Sequence, residues 1–106
     1  MGKYLLTASY TADGAKGLAK EGGTTRAEAA AQALKSVGAT VDAFYFAFGD
    51  ADAYILVDAP DHASIAAASL AIKATGLVQG TTVVLLTPEE LDQATKKKVT
   101  YRAPGQ

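Results

Sequence analysis

The chain has 106 residues, 49% of them apolar and 20% charged, with a formal net charge of −1, one histidine and no cysteine. That length suits a single domain with its own core, and the lack of thiols excludes disulfides, thiolate zinc sites, iron–sulfur clusters and a cysteine nucleophile. One histidine excludes a multi-histidine metal site within a chain, no run reaches the ~18 apolar residues of a membrane span, and the slightly acidic balance argues against a nucleic-acid partner.

Residues 3–10 alternate as a strand, with Tyr4, Leu6, Ala8 and Tyr10 on one side and Leu5, Thr7 and Ser9 on the other. Met1-Gly2-Lys3 leads straight into this strand, so no secretory leader is expected and the expected location is cytoplasmic. Residues 12–20 favour helix until Gly22-Gly23 interrupts it. Thr25 and Glu28 match a capping box, which predicts a second helix over 26–37 with Ala30, Ala33, Leu34 and Val37 on one face, closed by Gly38. Two aromatic and branched runs, 40–48 and 53–58, flank Gly49-Asp50-Ala51-Asp52 and predict a β-hairpin with a four-residue turn. Ala59-Pro60-Asp61 starts a helix over 63–75, capped by Asp61 or Asp58, with Ile65, Ala68 and Ile72 in line and Gly76 at its end. Residues 81–87 read as the fourth strand, and Pro88-Glu89-Glu90 opens a short helix through Ala94, with the acids facing the helix dipole.

The order β, α, β, β, α, β predicts an α+β, ferredoxin-like domain over residues 1–95, a four-stranded antiparallel sheet with helices on one face. Residues 96–106 form a basic tail in which Lys96, Lys97, Lys98 and Arg102 carry +4, leaving −5 for residues 1–95. Such a tail is either a solvated terminus or an arm that docks on the acidic surface of a neighbouring subunit. Both sheet faces are expected to be apolar: Val41, Ala43, Tyr45 and Ala47 oppose Phe44, Phe46 and Phe48, Ile55 and Val57 oppose Tyr54 and Leu56, and Val83 and Leu85 oppose Val84 and Leu86. The helices cover one face, so the chain itself is the expected partner, as a homodimer or higher closed oligomer packed sheet to sheet into a barrel. Such packing buries on the order of 1,500 Å².

The segments Lys3-Tyr4-Leu5-Leu6-Thr7-Ala8-Ser9-Tyr10, Gly17-Leu18, Lys20-Glu21-Gly22-Gly23-Thr24-Thr25-Arg26, Phe44-Tyr45-Phe46-Ala47-Phe48-Gly49, Asp58-Ala59-Pro60-Asp61 and Thr81-Thr82 together resemble the GYD domain family, from about residue 3 to residue 95. The resemblance implies a small bacterial domain of the dimeric α+β barrel type and brings no established activity with it. The element that gives the family its name falls on Gly49, Asp50, Ala51 and Asp52, so alanine stands at the tyrosine position while Asp52 keeps the acid, with Tyr54 two residues on and on the same strand face.

Lys20, Thr24, Thr25 and Arg26 surround a predicted helix start where free N–H groups and a guanidinium offer an anion site, or else simply a joint between helices. The spacing is not that of a Walker phosphate loop. Asp50, Asp52, Asp58 and Asp61 cluster in sequence, but strand spacing separates the first pair from the second by about 20 Å, so turn formation and capping account for them and no metal is expected. His62 is the one side chain that titrates near neutrality unperturbed, and with Asp52 it is a candidate for proton transfer. Tyr10, Tyr45 and Tyr54 line either an aromatic pocket or a packed interface. No cofactor is called for. These residues point to a self-assembling domain that binds a small anionic or aromatic ligand, or serves as a structural or regulatory subunit. The other reading is a cofactor-independent oxygenase or isomerase with its site in the barrel cleft.

Overall fold

The computed structural model describes residues 2–106. Eight elements follow one another: β1 (Gly2–Tyr10), α1 (Ala12–Glu21), α2 (Gly23–Lys35), β2 (Thr40–Phe46), β3 (Ala53–Ala59), α3 (His62–Lys73), β4 (Val78–Leu85) and α4 (Pro88–Lys96). The strands form one antiparallel sheet in the order β2-β3-β1-β4, the open ferredoxin-like arrangement that the element order predicts. β1 is central and pairs along its length with both β3 and β4, Leu5 standing opposite Leu56 on one side and Val83 on the other.

Partners directly across a ladder share a face, so the register assigns every side chain. The helices cover the face of Tyr4, Leu6, Ala8, Ile55 and Val57, and the buried core joins these strand residues to Leu34, Ile65 and Ala68. Val57, wholly buried on β3, lies at its centre. Leu5, Thr7, Ala43, Tyr45, Tyr54, Leu56, Val83 and Leu85 share the opposite face, which no helix covers.

The strand faces follow the sequence expectation except in β2. Its pairing slips between Val41 and Ala43, a β-bulge, so Val41 stands opposite Val57 and joins Phe44 on the core face instead of siding with Ala43 and Tyr45. The hairpin loop is also longer than four residues: β2 stops at Phe46 and β3 begins at Ala53. Ala47 N–H donates to the Asp52 carbonyl at 2.8 Å, and Asp52 N–H donates to the Ala8 carbonyl at 2.8 Å, so the loop is anchored on β1 as well as on itself. β4 begins at Val78 rather than at 81, because its ladder with β1 continues to the pair Tyr10 and Val78.

At the helix ends one open alternative is decided and one expectation fails. Asp61, not Asp58, caps α3, its carboxylate accepting from Ser64 N–H at 2.8 Å; the Ser64 side chain, and then this backbone bond, hold the Asp61 carboxyl below its ordinary value. Thr25 does not cap α2. The cap lies three residues earlier, on Gly22, whose φ of +85° lets one residue end α1 and begin α2, and Thr25 is already helical. A capping box does form at α4, where Thr87 and Glu90 bond each other's backbone N–H.

Helix α1 carries two glycines in opposite situations. A methyl on buried Gly14 would lie 2.1 Å from the Leu77 carbonyl oxygen, which accepts from Thr11 N–H, whereas a methyl on Gly17 meets nothing within 4 Å. Gly17→Ala is therefore expected to stabilise the fold by about 0.5–1 kcal/mol through helix propensity. Gly14→Ala is expected to destabilise it by about 1–3 kcal/mol, because overpacking against backbone outweighs that gain. Urea denaturation of the two variants checks both signs.

Candidate functional site

β1 carries two tyrosines on its core face, Tyr4 near its start and Tyr10 at its end, and each anchors a distinct cluster. At the Tyr10 end the chain turns into α1, and the α1–α2 joint and the β2–β3 loop come together around a cleft of about 380 Å³. Its walls are apolar, from Ala15, Leu18, Phe46 and Phe48, with Gly23 beside Phe46. Phe48 is fully exposed at 108%, an aromatic ring with no packing partner in its own chain. The polar groups here are the Tyr10 phenol and Asp52, whose Oδ2 accepts from Tyr10 N–H at 2.8 Å.

Burial pushes the Tyr10 phenol above its ordinary value. Arg26 opposes this with its positive charge, and Asp52 and Glu21 add to it. Tyr10 is therefore a neutral hydrogen-bond donor at physiological pH. Arg26 reaches back across the glycine joint, its Nη1 3.7 Å from Glu21 Oε1, a long, partly exposed pair of modest strength. Of the residues singled out in the sequence, the structure thus brings together Tyr10 and Asp52 at the cleft, while Arg26 stands outside its lining and acts on the phenol through its charge.

The other candidates lie elsewhere. Lys20, Thr24 and Thr25 are exposed on the helical surface around the joint, and none lines the cleft. Tyr45 and Tyr54 stand opposite each other on the uncovered sheet face, so the three tyrosines do not form one pocket. Tyr10 and Tyr54 sit on opposite faces because their strand positions pair with opposite parity. Asp52 precedes β3 instead of continuing its pleat, so it borders the Tyr10 cleft while Tyr54 does not. The four sequence-clustered aspartates are dispersed: Asp50 and Asp52 in the loop, Asp58 3.1 Å from Lys3 Nζ, and Asp61 capping α3.

His62 opens α3 at the far end of β1, and its Nδ1 lies 2.6 Å from the Tyr4 hydroxyl, with the two rings edge to face. Tyr4 is buried, so this bond satisfies a phenol that would otherwise be stranded in the core. His62 and Asp52 belong to separate sites, with the length of β1 between them, six residues or about 20 Å of strand from Tyr4 to Tyr10.

Sequence reasoning missed Phe46, Phe48 and Leu18 as cleft walls and Tyr4 as the partner of His62. Nothing local linked Tyr4 to His62, which are 58 positions apart.

A family model, the GYD domain, matches residues 4–95. No curated protein and no solved structure matches the chain.

The raised Tyr10 value has a definite sign in stability. The folded state favours the neutral phenol, so this contribution is complete below pH 10 and is lost as pH rises through the folded-state value. A tyrosinate absorbance titration of the parent minus that of Tyr10→Phe should give a difference curve with its midpoint above 10. A midpoint at or below 10 contradicts a buried phenol.

Proposed function

The chain belongs to the GYD domain family, and from that premise we propose that it is a self-associating domain that binds a small aromatic molecule carrying an oxygen acid group. The observation that carries this reading is the Tyr10 cleft. It combines aromatic walls, a neutral phenol donor and a carboxylate held by a backbone N–H in a volume of about 380 Å³, the apolar body with few polar groups that small-molecule sites share. Phe46, Phe48 and Leu18 offer contacts to a ring, and the Tyr10 hydroxyl donates to the ligand oxygen; Arg26 lies outside the cleft lining, held by the long contact to Glu21, and is the nearby cation that turns to an anion.

Thermal-shift and NMR titrations with benzoate and 4-hydroxybenzoate, against cyclohexanecarboxylate and inorganic phosphate, test the site. The aromatic acids are expected to bind, with Phe46→Ala weakening them by about tenfold and Arg26→Ala removing the preference for acid over neutral phenol. Binding of phosphate alone, or equal binding to the Phe46→Ala variant, defeats the aromatic site.

A second reading rests on Asp52. It is a carboxylate oriented by another polar group beside an apolar cleft, with a phenol donor at hand, the arrangement that proton abstraction next to a carbonyl needs. In that reaction the C–H proton passes to the Asp52 carboxylate, the electron pair moves to the carbonyl oxygen, and the Tyr10 hydroxyl hydrogen-bonds the enolate. Phenylpyruvate in deuterium oxide is the probe: faster loss of its methylene signal with protein than with the Asp52→Asn variant supports the enzyme reading, and equal rates remove it.

Self-association rests on the uncovered face, where Ala43, Leu56, Leu5 and Val83 form one apolar row across all four strands. Light scattering is expected to give twice the 10.8 kDa chain mass, and Val83→Asp to return it to the single mass. A parent protein of single mass at micromolar concentration overturns this assembly.

A further inference from the structure

The last nineteen residues are folded away from the body. Every residue from 88 to 106 is exposed, and the side-chain hydrogen bonds of α4 stay within its own turn and cap. α4 packs against no other element to any extent, although Leu86, Leu91, Val99 and Tyr101 are each more than half exposed along this stretch. The consequence is measurable in the whole molecule. Its radius of gyration is 16.9 Å with extents of 56 × 32 × 23 Å, where a compact chain of this length has about 13 Å. Its accessible surface is 7478 Å², where a folded monomer of this mass exposes about 5,500 Å². The excess on this one chain, about 2,000 Å², is more than the ~800 Å² that each partner gives up in an interface of standard size.

We propose that this segment is an exchange arm, which leaves its own sheet and docks on the open face of a second copy of the chain. The inference rests on the self-association reading and says what completes that interface. Charge selects the receiving surface. Among the described residues, Lys96, Lys97, Lys98 and Arg102 make no ion pair, while the body holds an acidic cluster at one rim of the open face. There Lys3 Nζ lies 2.7 Å from Asp42 Oδ2 and 3.1 Å from Asp58 Oδ2, one cation shared between two carboxylates. The two carboxylates outnumber the one cation and both side chains keep partial exposure, so the rim carries a net negative charge that an incoming ammonium can meet. Leu85, the last residue of β4, stands in the same cross-strand row as Lys3 and Asp58, so the arm departs beside this rim. In the pair each arm reaches across to the other copy's Asp42 and Asp58, with Leu91, Val99 and Tyr101 packing at the edge of the sheet-to-sheet contact.

The tests use the full chain, a chain ending at Thr87, and the triple variant Lys96→Glu, Lys97→Glu, Lys98→Glu, which keeps every body residue. Sedimentation equilibrium is expected to show that both changes raise the dimer dissociation constant by about tenfold or more. Carbodiimide coupling of a mixture of ¹⁵N-labelled and unlabelled chains is expected to join a lysine of 96–98 to Asp42 or Asp58 of the other isotope. If the triple variant associates as tightly as the parent while Val83→Asp dissociates it, the arm proposal fails and the sheet interface stands. If the parent itself sediments as a monomer, both fail. Coupling confined to single chains, or to other carboxylates, overturns the receiving site.

Discussion

Everything in this fold hangs on β1 being paired on both edges. With β3 on one side and β4 on the other, its register leaves no freedom in which residues face the helices. Tyr4, Leu6 and Ala8 must enter the core, and Lys3, Leu5 and Thr7 must face the other way. The helices reach only the first set. A strand whose second set includes Leu5, flanked by Leu56 and Val83, therefore creates an uncovered apolar row as a direct result of its own pairing.

The rows across the open face differ in chemistry, and this difference orients whatever covers it. One row is apolar, through Ala43, Leu56, Leu5 and Val83. The next toward the loop is hydroxylic, where Tyr45 and Tyr54 lead to Thr7 and Thr81, whose Oγ1 atoms are 2.6 Å apart. On the other side lies the charged row, where hydrogen bonds to Asp42 and then Asp58 raise the Lys3 ammonium above its ordinary value and keep it protonated. That triad is partly exposed, so it contributes little to stability. Its value is directional: a polar rim on one edge of an apolar strip permits fewer docking registers than a uniform strip would.

The fold was legible because strand alternation and helix stop signals are local, and here both survive tertiary packing. Tyr4, Leu6, Ile55, Val57, Ile65 and Ala68 all lie where their spacing puts them. The errors fall where a single residue breaks a period. One extra residue at the Val41/Ala43 bulge moved Val41 across the sheet, and one positive-φ glycine allowed α2 to begin before the threonines that look like its cap. The candidate site was legible in part. Tyr10 and Asp52 stand out as chemistry-bearing residues, but their meeting depends on a loop anchored to β1 through the Asp52 N–H and Ala8 carbonyl, which no local pattern encodes. Tyr45 and Tyr54 were grouped with Tyr10 by residue type, and pairing parity separates them.

The two ends of β1 differ in a way that makes the Tyr10 cluster, and not the Tyr4 cluster, the proposed ligand site. Both tyrosines point toward the helices from the same strand. At Tyr4, the two residues between β3 and α3 bring His62 directly over the ring, so the hydroxyl is bonded within the chain and the side chain is buried. Its hydrogen-bonding capacity is used in holding α3 to the sheet. At Tyr10, the covering elements are the α1–α2 joint and a long hairpin loop, and they stop short of closure. The backbone N–H of Tyr10 is taken by Asp52, while its phenol is desolvated enough to stay neutral and borders an open aromatic cleft. A phenol in that state is stabilised most by an acceptor that arrives without displacing an existing bond. For the proposed aromatic acid, an oxygen on a flat ring set against Phe46 and Phe48 is such an acceptor, and apolar walls favour it over a small hydrated anion.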